Sequence, residues 1–356
     1  IVIPGPFRQS RCFYYSYTED RCFSVSTDDI ITPEDMKKHW KEIEAADIAE
    51  IKSFVDHKVF RLQKKNEYNV TNVVDAIWIR RWKMVNGTRV PKCRLCGRGY
   101  LDKQKSLIDR HSSTASRLSH RIAISQAVQH NLQIECIDIS TAFLQGLKFT
   151  EIAARARQLG HEARHVRKVW LAPPANVWRY LRLIKNSSIN VADHEIWMYV
   201  LELLKAMYGL VDGPLLFQLA LLDFLTSTLN MCRSVHDDNY LYFTMGWDLV
   251  AVFVVHVDDI LMCAIASFLK HAQAALEGRF GKLKKNALPF DYLGIEHVRL
   301  APNHIALFQQ GYLKKLKPVV LAQHVKKNLT DALSSADNTA FRSLLCSMLW
   351  LCLTRL

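Results

Sequence analysis

Hydrophobic and polar positions follow two different periods along the first third of this chain. A helix is expected to begin at Thr32-Pro33, because Thr can cap it, Pro suits its first position and acidic residues follow, and to run with breaks to about Asp56. Residues 70–85 and 90–100 alternate on either side of an Asn-Gly dipeptide, which predicts two strands joined by a hairpin turn. Residues 1–33 have no clear period and are expected to be irregular.

The rest of the chain changes repeatedly between helical and strand patterns. Helices are predicted at 114–130, after Pro214 and at 266–280, and strands at 132–139, 240–244, 249–256 and 260–264. In the first of these helices, Leu118, Ile122 and Val128 are expected to face the core. The order strand, helix, strand, strand, helix predicts a split βαβ, or ferredoxin-like, arrangement.

Composition narrows the class of protein. The 356 residues are 49% hydrophobic and 23% charged, which excludes disorder over most of the length. The apolar runs fall short of the roughly 20 residues that a membrane-spanning helix needs. Nine cysteines scattered through apolar stretches favour reduced thiols in an intracellular protein. Both ends give the impression of a piece cut from a longer polypeptide.

The net charge of +13 is concentrated in two blocks. Residues 77–121 carry twelve basic side chains against two acidic ones, and residues 155–185 carry eight against one. Such blocks are typical of proteins that bind a polyanion, because each phosphate contact releases a counterion. The alternative is a solvated basic surface with no partner.

Three carboxylates lie where a strand pattern does not expect them. Asp138 falls inside the mostly apolar run 132–139, and Asp258-Asp259 falls where 249–256 turns back into 260–264. Buried or adjacent carboxylates are costly unless a cation compensates them, and oxygen ligands without His or Cys favour Mg²⁺ over Zn²⁺. The pattern thus fits two-metal phosphoryl transfer. The alternative is that the pair merely makes a hairpin turn and Asp138 caps a strand end.

Other candidate sites have weaker signals. The spacing of Cys93 and Cys96 suits zinc, but no second cysteine pair follows, and a strand position is favoured. His161 and His165 have the spacing of a helical metal site without an accompanying acid, which favours surface histidines. The aromatic pair formed by Trp178 and Tyr180 is equally compatible with stacking on bases and with packing under a loop.

Eight blocks in one order resemble the reverse transcriptases of copia-type (Pseudoviridae-like) retrotransposons, and together they span roughly residues 34–356. The blocks are EIEAADIAEIKSFVDHKVFRL at 42–62, KCRLCGRGY at 92–100, CIDISTAFLQG at 136–146, LLKAMYGLVDGP at 203–214, HVDD at 256–259, FDYLGIEH at 290–297, ALFQQGYLKKL at 306–316 and FRSLLCSMLWLCLTR at 341–355.

The resemblance implies an α+β, right-hand polymerase with fingers, a ferredoxin-like palm and a partial thumb or connection. The expected division is an irregular segment at 1–33, fingers at 34–130, a palm at 131–300 with an inserted fingers segment at about 147–212, and a truncated thumb or connection at 301–356.

The resemblance also implies roles for individual residues. Asp138 and Asp258 would hold two Mg²⁺ ions, or Mn²⁺ in their place, with Asp259 assisting. Residues expected to bind the nucleotide are Phe143 as the steric gate against a ribose 2′-hydroxyl, Arg94, Arg98, Tyr208, Gly209 and Pro214. Residues expected to contact the nucleic acid are Arg80, Arg81, Lys83 and His256.

Three positions depart from the family's pattern. His256 replaces the usual Tyr and should alter a primer contact. Asp212 stands where the family has Gln, and Leu215 where it has Arg. An acid near the triphosphate and the loss of a phosphate clamp weigh against full activity more than against the fold.

These observations together predict an RNA-directed DNA polymerase domain from a retrotransposon polyprotein. Its expected partners are an RNA or DNA template with a primer and deoxynucleoside triphosphates, with no membrane. The resemblance implies a cytoplasmic, virus-like-particle location, with a nuclear phase as an alternative. A degenerate or domesticated copy that binds nucleic acid without polymerising is the alternative function, and a basic structural scaffold is a third. Template preference, oligomeric state and flanking ribonuclease H or integrase domains are left open.

Overall fold

The computed structural model of the chain describes most of its residues. The described residues are 13–16, 21–24, 29–85, 87–158, 167–314, 316, 318 and 333–352. The predicted histidine pair His161 and His165 lies outside them.

The helices are numbered in chain order. They are α1 (Pro33–Lys38), α2 (Trp40–Asp56), α3 (Arg117–Gln129), α4 (Phe149–Gln158), α5 (Ala175–Leu183), α6 (Gly213–Ser227), α7 (Ala266–Phe280), α8 (Gln310–Leu313) and α9 (Ser335–Leu351).

The strands are numbered in the same way. They are β1 (Phe13–Ser16), β2 (Arg21–Ser24), β3 (Phe60–Lys64), β4 (Val73–Val85), β5 (Thr88–Gly97), β6 (Gln133–Ile139), β7 (Trp170–Ala172), β8 (Tyr199–Leu203), β9 (Cys232–Arg233), β10 (Tyr240–Met245), β11 (Asp248–His256), β12 (Asp259–Ala264), β13 (Leu283–Ala287), β14 (Phe290–Tyr292), β15 (Ile295–Ala301) and β16 (His304–Phe308).

The chain is of mixed α and β structure and divides into two compact units that alternate along the sequence. The first unit comprises residues 1–27, 113–139 and 230–356, and the second comprises 28–112 and 140–229. Among the described residues, no helix is long and apolar enough to cross a membrane.

The first unit is built on a six-stranded antiparallel sheet of order β13-β6-β12-β11-β10-β9. Helix α3 packs on one face of this sheet, where Val252, Val254 and Leu261 are buried with Ala123. On the other face, the ring of Phe253 lies 6.1 Å from that of Phe268 on α7. Because both faces of β11 are covered, its sequence is a continuous apolar run rather than an alternating one. A smaller sheet, β14-β15-β16, completes the unit's main elements.

The second unit is built on a five-stranded sheet of order β3-β8-β7-β4-β5, in which only the β4–β7 pairing is parallel. Strands β4 and β5 form the predicted hairpin, with Gly87 at φ +78° in its turn. One face of the hairpin packs on α2, where Trp82 and Cys93 are buried with Ile43. This unit therefore has a core of its own.

Most predicted elements are confirmed, but one helix face is wrong. The helix expected from Thr32-Pro33 exists as α1 and α2, with Thr32 accepting a hydrogen bond from the Asp35 backbone N–H at 3.1 Å. On α3, however, Leu118 is 66% exposed and Ile122 is 40% exposed, while Ala123 and Ala127 face the sheet. Small side chains let the helix approach the sheet closely, and that packing outweighs the hydrophobicity of the two larger ones.

The segment expected to be irregular contains structure where it is described. Strands β1 and β2 pair antiparallel, with the register Phe13 to Ser24 and Ser16 to Arg21. The sequence gives little indication of this hairpin, because neither strand has more than four residues and no period can be read over so short a run.

Candidate active site

The three predicted carboxylates lie together in the first unit. Strand β6 pairs antiparallel with β12, and the register places Asp138 directly opposite Asp259. Asp258 is in the turn that precedes β12, and its carbonyl accepts a hydrogen bond from the Ile139 backbone N–H at 2.9 Å. The sheet register therefore gathers side chains that are about 120 residues apart in the sequence.

The turn between β11 and β12 has an unusual backbone. His256 and Asp259 form the last pair of the hairpin, so Val257 and Asp258 make a two-residue loop. Val257 has φ +58°, in the left-handed region that glycine normally occupies in such loops and that a β-branched residue adopts at a cost of order 1–3 kcal/mol. Backbone strain of this kind is common at functional sites, where it fixes the direction of neighbouring side chains.

The electrostatics of the trio agree with the like charges expected there. Burial, followed by the charges of Asp258 and Asp138, raises the pKa of Asp259 to about 7. Carboxylates in this arrangement need a cation to remain ionised together at neutral pH.

A lysine that the sequence analysis did not single out supplies part of this compensation. Strand β13 pairs with β6 so that Lys284 lies opposite Asp138, and the Lys284 ammonium forms an ion pair with the Asp138 carboxylate. The Asp138 side chain is 33% exposed, so its burial cost is smaller than a strand interior would impose. Sequence alone could not identify Lys284 among its basic neighbours, because the β6–β13 register decides which of them meets Asp138.

The donor set fits a hard divalent cation. Asp138, Asp258 and Asp259 offer carboxylate oxygens, which Mg²⁺ prefers in proteins. Over the described parts of the chain, no three His, Cys, Asp or Glu side chains form a ready-made metal-binding cluster, and Asp138 is bound to Lys284 instead. A metal ion bound to Asp138 would therefore displace Lys284 from the carboxylate or share the carboxylate with it.

Three of the predicted nucleotide-binding side chains meet in the second unit. Phe143 lies in a short 3₁₀ helix over 142–145, after Thr141 with φ +54°. Its ring centre is 5.7 Å from that of Tyr208, and the Arg94 guanidinium carbon lies 5.1 Å from the Tyr208 ring centre. The Tyr208 ring thus contacts an aromatic residue and a basic one.

The backbone around Tyr208 is fixed by a close approach of two glycines. The Tyr208 carbonyl accepts a hydrogen bond from the Gly97 backbone N–H at 2.8 Å. Gly209 has φ +90°, and a Cβ there would lie 2.1 Å from the Gly97 carbonyl oxygen. Only glycine fits at Gly209, which holds this block against the end of β5. Pro214 follows in the first turn of α6.

The remaining predicted basic residues have different surroundings. Arg98 forms an ion pair with Asp75. Arg80 donates to both carboxylate oxygens of the buried Asp47, at 3.0 and 2.7 Å, so its charge is used inside the unit. The structure thus gives the Arg80 guanidinium a partner within the protein.

Arg81 and Lys83 lie on the other face of the β4–β5 hairpin. Successive side chains on a strand point to opposite faces, so these two residues share the face opposite Arg80. In register they pair with Lys92 and Val90, and the Ile79–Arg94 pair adjoins them on the same face. This face is basic with apolar side chains between the charges.

Asp212 pairs with another residue inside the second unit. Its side chain is buried, and its carboxylate forms an ion pair with Arg167, a residue that the sequence analysis did not single out. Leu215 lies in the first turn of α6 and is partly buried. Arg167 therefore offsets, within the protein, the unfavourable charge that an acid at this position was expected to bring to a triphosphate.

The structure also decides the weaker candidates. Cys93 and Cys96 pair in register with Arg80 and Ile77, on opposite faces of the hairpin, so they cannot hold one zinc ion together. Trp178 and Tyr180 are buried in the second unit's core, which favours the packing interpretation over stacking on bases.

Comparisons with known proteins agree with the sequence resemblance. No family model matches the chain. The chain is 27% identical over 277 residues to the retrovirus-related Pol polyprotein from transposon RE2 of Arabidopsis thaliana, covering 74% of this chain and 17% of that protein. It is 26% identical over 298 residues to the corresponding polyprotein from transposon RE1 of the same plant, covering 80% and 18%.

A solved structure is also similar at a lower level. It is that of the foamy viral protease-reverse transcriptase dRH in complex with ds DNA, with 12% identity and a TM-score of 0.41, covering 87% of this chain and 40% of that one. The sequence comparisons confirm the resemblance: the homologues of this chain are copia-type retrotransposon Pol polyproteins, and the chain spans 17–18% of their length.

Proposed function

We propose that the chain is an RNA-directed DNA polymerase domain of a copia-type retrotransposon. The observation that carries this proposal is the register of β6 and β12, which sets Asp138 opposite Asp259 with Asp258 in the adjoining turn. Three carboxylates at the end of a sheet, in a chain related to Pol polyproteins, suit nucleotidyl transfer to a primer 3′-hydroxyl.

Asp138 and Asp258 would hold the metal, and Asp259 would assist them. When bound, two Mg²⁺ ions would activate the attacking hydroxyl and stabilise charge on the leaving pyrophosphate. The protein's own part is to keep three carboxylates together: the backbone hydrogen bond from Ile139 to Asp258 fixes the turn, and the register of β6 and β12 sets Asp138 opposite Asp259. Position and charge, rather than covalent chemistry, would supply the rate enhancement.

The second unit would bind the nucleotide and the nucleic acid. Phe143, supported by Tyr208, would lie against the sugar, and Arg94 beside it would meet the triphosphate. The basic face that carries Arg81 and Lys83 would contact template phosphates without regard to base sequence.

One observation favours a second function, nucleic-acid binding without polymerisation. The ion pair between Lys284 and Asp138 occupies a carboxylate that a polymerase would need for metal. A copy that had lost catalysis would keep its basic surfaces and tolerate this pairing.

Incorporation of thymidine nucleotide on an oligo(dT)-primed poly(A) template, with and without Mg²⁺, tests the proposal. We expect Mg²⁺-dependent incorporation by the parent protein and none by Asp258→Asn. Asp248→Asn is the matched control, because Asp248 is an exposed carboxylate at the other end of β11. Template–primer binding without incorporation by the parent would overturn the polymerase proposal in favour of the second function.

A further inference from the structure

A buried arginine joins two buried carboxylates in the second unit. The Arg167 side chain is 8% exposed, that of Asp102 is 0% and that of Asp212 is 4%. Arg167 Nη2 donates to Asp102 Oδ2 at 2.7 Å and to Asp212 Oδ1 at 3.1 Å, and its Nε lies 2.6 Å from Asp212 Oδ2. The planar guanidinium fits both carboxylates at once, which a lysine ammonium could not do in the same way.

Further hydrogen bonds hold one end of this triad in place. Asp102 Oδ1 accepts from the Asn72 side-chain amide and from the Gln104 backbone N–H, both at 2.9 Å. The Arg167 guanidinium carbon lies 5.2 Å from the ring centre of Phe149, which covers it with apolar surface. With Asp102 so fully bonded, Arg167 has a fixed position from which to hold Asp212.

The other end of the triad lies at the start of α6. The Asp212 backbone carbonyl accepts the first hydrogen bond of the helix, from the Leu216 N–H at 3.0 Å. Its side chain makes no capping bond to the helix, although Asp favours that role. The carboxylate is committed to Arg167 instead, which ties the helix start to the segment before β7.

The segment held in this way carries the proposed nucleotide pocket. Tyr208 and Gly209 lie four and three residues before Asp212, and the Tyr208 carbonyl accepts the hydrogen bond from the Gly97 backbone N–H. Two anchors, one at each end of the segment, define where the Tyr208 ring lies and therefore where Phe143 and Arg94 contact it.

We propose that Arg167 is a positioning residue for this pocket: by pairing with Asp212 it fixes the segment from Tyr208 to Asp212 and makes the acid compatible with nucleotide binding. The inference rests on the proposed polymerase function and deepens it. It also gives Asp212 a role different from that of an unfavourable charge near the triphosphate.

Arg167→Gln tests this inference with two measurements. Hydrogen exchange followed by mass spectrometry should become faster in the peptide that covers residues 207–214 and stay unchanged over β11 and β12. The nucleotide KM should rise about tenfold or more, since a misplacement of order 1 Å can cost about a hundredfold, while template–primer affinity changes by less than about twofold.

Two companion variants keep the experiment interpretable. Arg155→Gln is the matched control, because Arg155 pairs with Asp223 on the surface of the same unit and its loss should move neither measurement. If Arg167→Gln does not fold, the variant Arg167→Gln/Asp102→Asn/Asp212→Asn, which leaves no buried charge unpaired, replaces it. Arg167→Lys should recover part of the parent's nucleotide KM.

The outcomes separate this inference from the proposed function. Unchanged exchange at 207–214, or an unchanged nucleotide KM in an active protein, would overturn the role of Arg167. Faster exchange in Arg167→Gln, together with a parent protein that does not polymerise, would leave the positioning role standing and refute the polymerase. If the nucleotide KM rises equally in Arg167→Gln and in Arg155→Gln, the effect is a general one of removing positive charge. That result also overturns the inference.

Discussion

The two carboxylate groups of this protein are compensated in opposite ways. In the second unit, Asp102 and Asp212 are almost fully buried and share one arginine that contacts both. In the first unit, Asp138, Asp258 and Asp259 remain partly exposed, and the exposed Lys284 pairs with Asp138. The first arrangement places its opposite charges in direct contact inside the fold, whereas the second keeps three like charges close together where solvent reaches them.

This difference separates carboxylates that stabilise structure from carboxylates available for chemistry. It explains why an unexpected acid in the sequence is not by itself a functional signal. Asp212 is as unusual as Asp258 by position, yet Asp212 pairs with the buried Arg167, whereas the charges of Asp258 and Asp138 help to raise the pKa of Asp259 to about 7.

Asp258→Asn should have the largest effect on activity. We expect incorporation to fall by about a thousandfold or more, because metal-ion stabilisation of the transition state is of order several kcal/mol. The free energy of unfolding should stay the same or rise, since a like charge is removed. Single-turnover incorporation and urea unfolding measure the two quantities. A large loss of stability would show that Asp258 stabilises the fold, as the buried carboxylates are expected to do.

Asp102→Asn should have the opposite pattern. The change replaces a buried carboxylate that accepts hydrogen bonds from Arg167, Asn72 and Gln104 with a neutral amide. Because hydrogen bonds to charged groups are weakened or lost, we expect the free energy of unfolding to fall by about 1.5–3 kcal/mol. Asp223→Asn, at the exposed pair with Arg155, should change it by no more than about 1 kcal/mol. Urea unfolding monitored by circular dichroism measures both, and equal effects would show that the buried triad stabilises no more than a surface pair does.

Two buried neutral histidines in the first unit make the free energy of unfolding depend on pH. His297 Nδ1 donates to the Ile295 carbonyl at 2.8 Å, so its Nε2 accepts from His120 Nε2–H at 2.9 Å. Burial lowers the pKa of His120 to about 3 and that of His297 to about 4. As pH falls, these two histidines bind protons in the unfolded chain before they do so in the folded protein. The contribution of the pair to the free energy of unfolding is therefore complete above about pH 6.5 and is lost as pH falls.

Between pH 7.5 and pH 5, that loss should be about 2 kcal/mol per histidine. Compared with the parent, His297→Phe should lose about 2 kcal/mol less between these pH values, because the ring packing against Phe290 is retained while one titrating group is lost. His304→Gln, at an exposed histidine, is the control and should leave the dependence as in the parent. Unfolding curves across this range that coincide for the parent and His297→Phe would contradict the assignment.

Phe143→Ala should change which nucleotides the protein incorporates rather than its free energy of unfolding. We expect ribonucleotide incorporation to rise about tenfold or more relative to deoxynucleotide incorporation, because the ring no longer excludes the 2′-hydroxyl. Leu183→Ala, at an exposed side chain of the same unit, should leave the ratio unchanged. A ratio equal to the parent's would remove Phe143 from the role of steric gate.

Lys284→Gln should have the smallest effect. The lysine competes with a metal for Asp138, so its removal should lower the half-saturating Mg²⁺ concentration by about two- to fivefold, the scale of a partly exposed ion pair. Lys285→Gln, which removes a neighbouring lysine paired with Glu277, should not change it. A higher Mg²⁺ requirement in Lys284→Gln would show that the lysine supports the metal site instead of competing with it.

Sequence patterns alone predicted many of the helices and strands and singled out three carboxylates that lie together in the structure. Its periodicity located the hairpin of β4 and β5, the helix α7 and the strands that carry Asp138 and Asp258, because local spacing fixes local structure. Block order identified the relationship to copia-type polyproteins. The costs of misplaced carboxylates pointed to the same three residues without any reference to that relationship.

Tertiary structure decided which charges are available. Arg80 was predicted to reach a partner and is bound to Asp47, while Lys284 and Arg167 gave no sequence signal at all. The inward face of α3 was also missed, because close approach of small side chains selects it. Pairing depends on sheet register and on contacts between residues far apart in the chain, and no local pattern in the sequence encodes either.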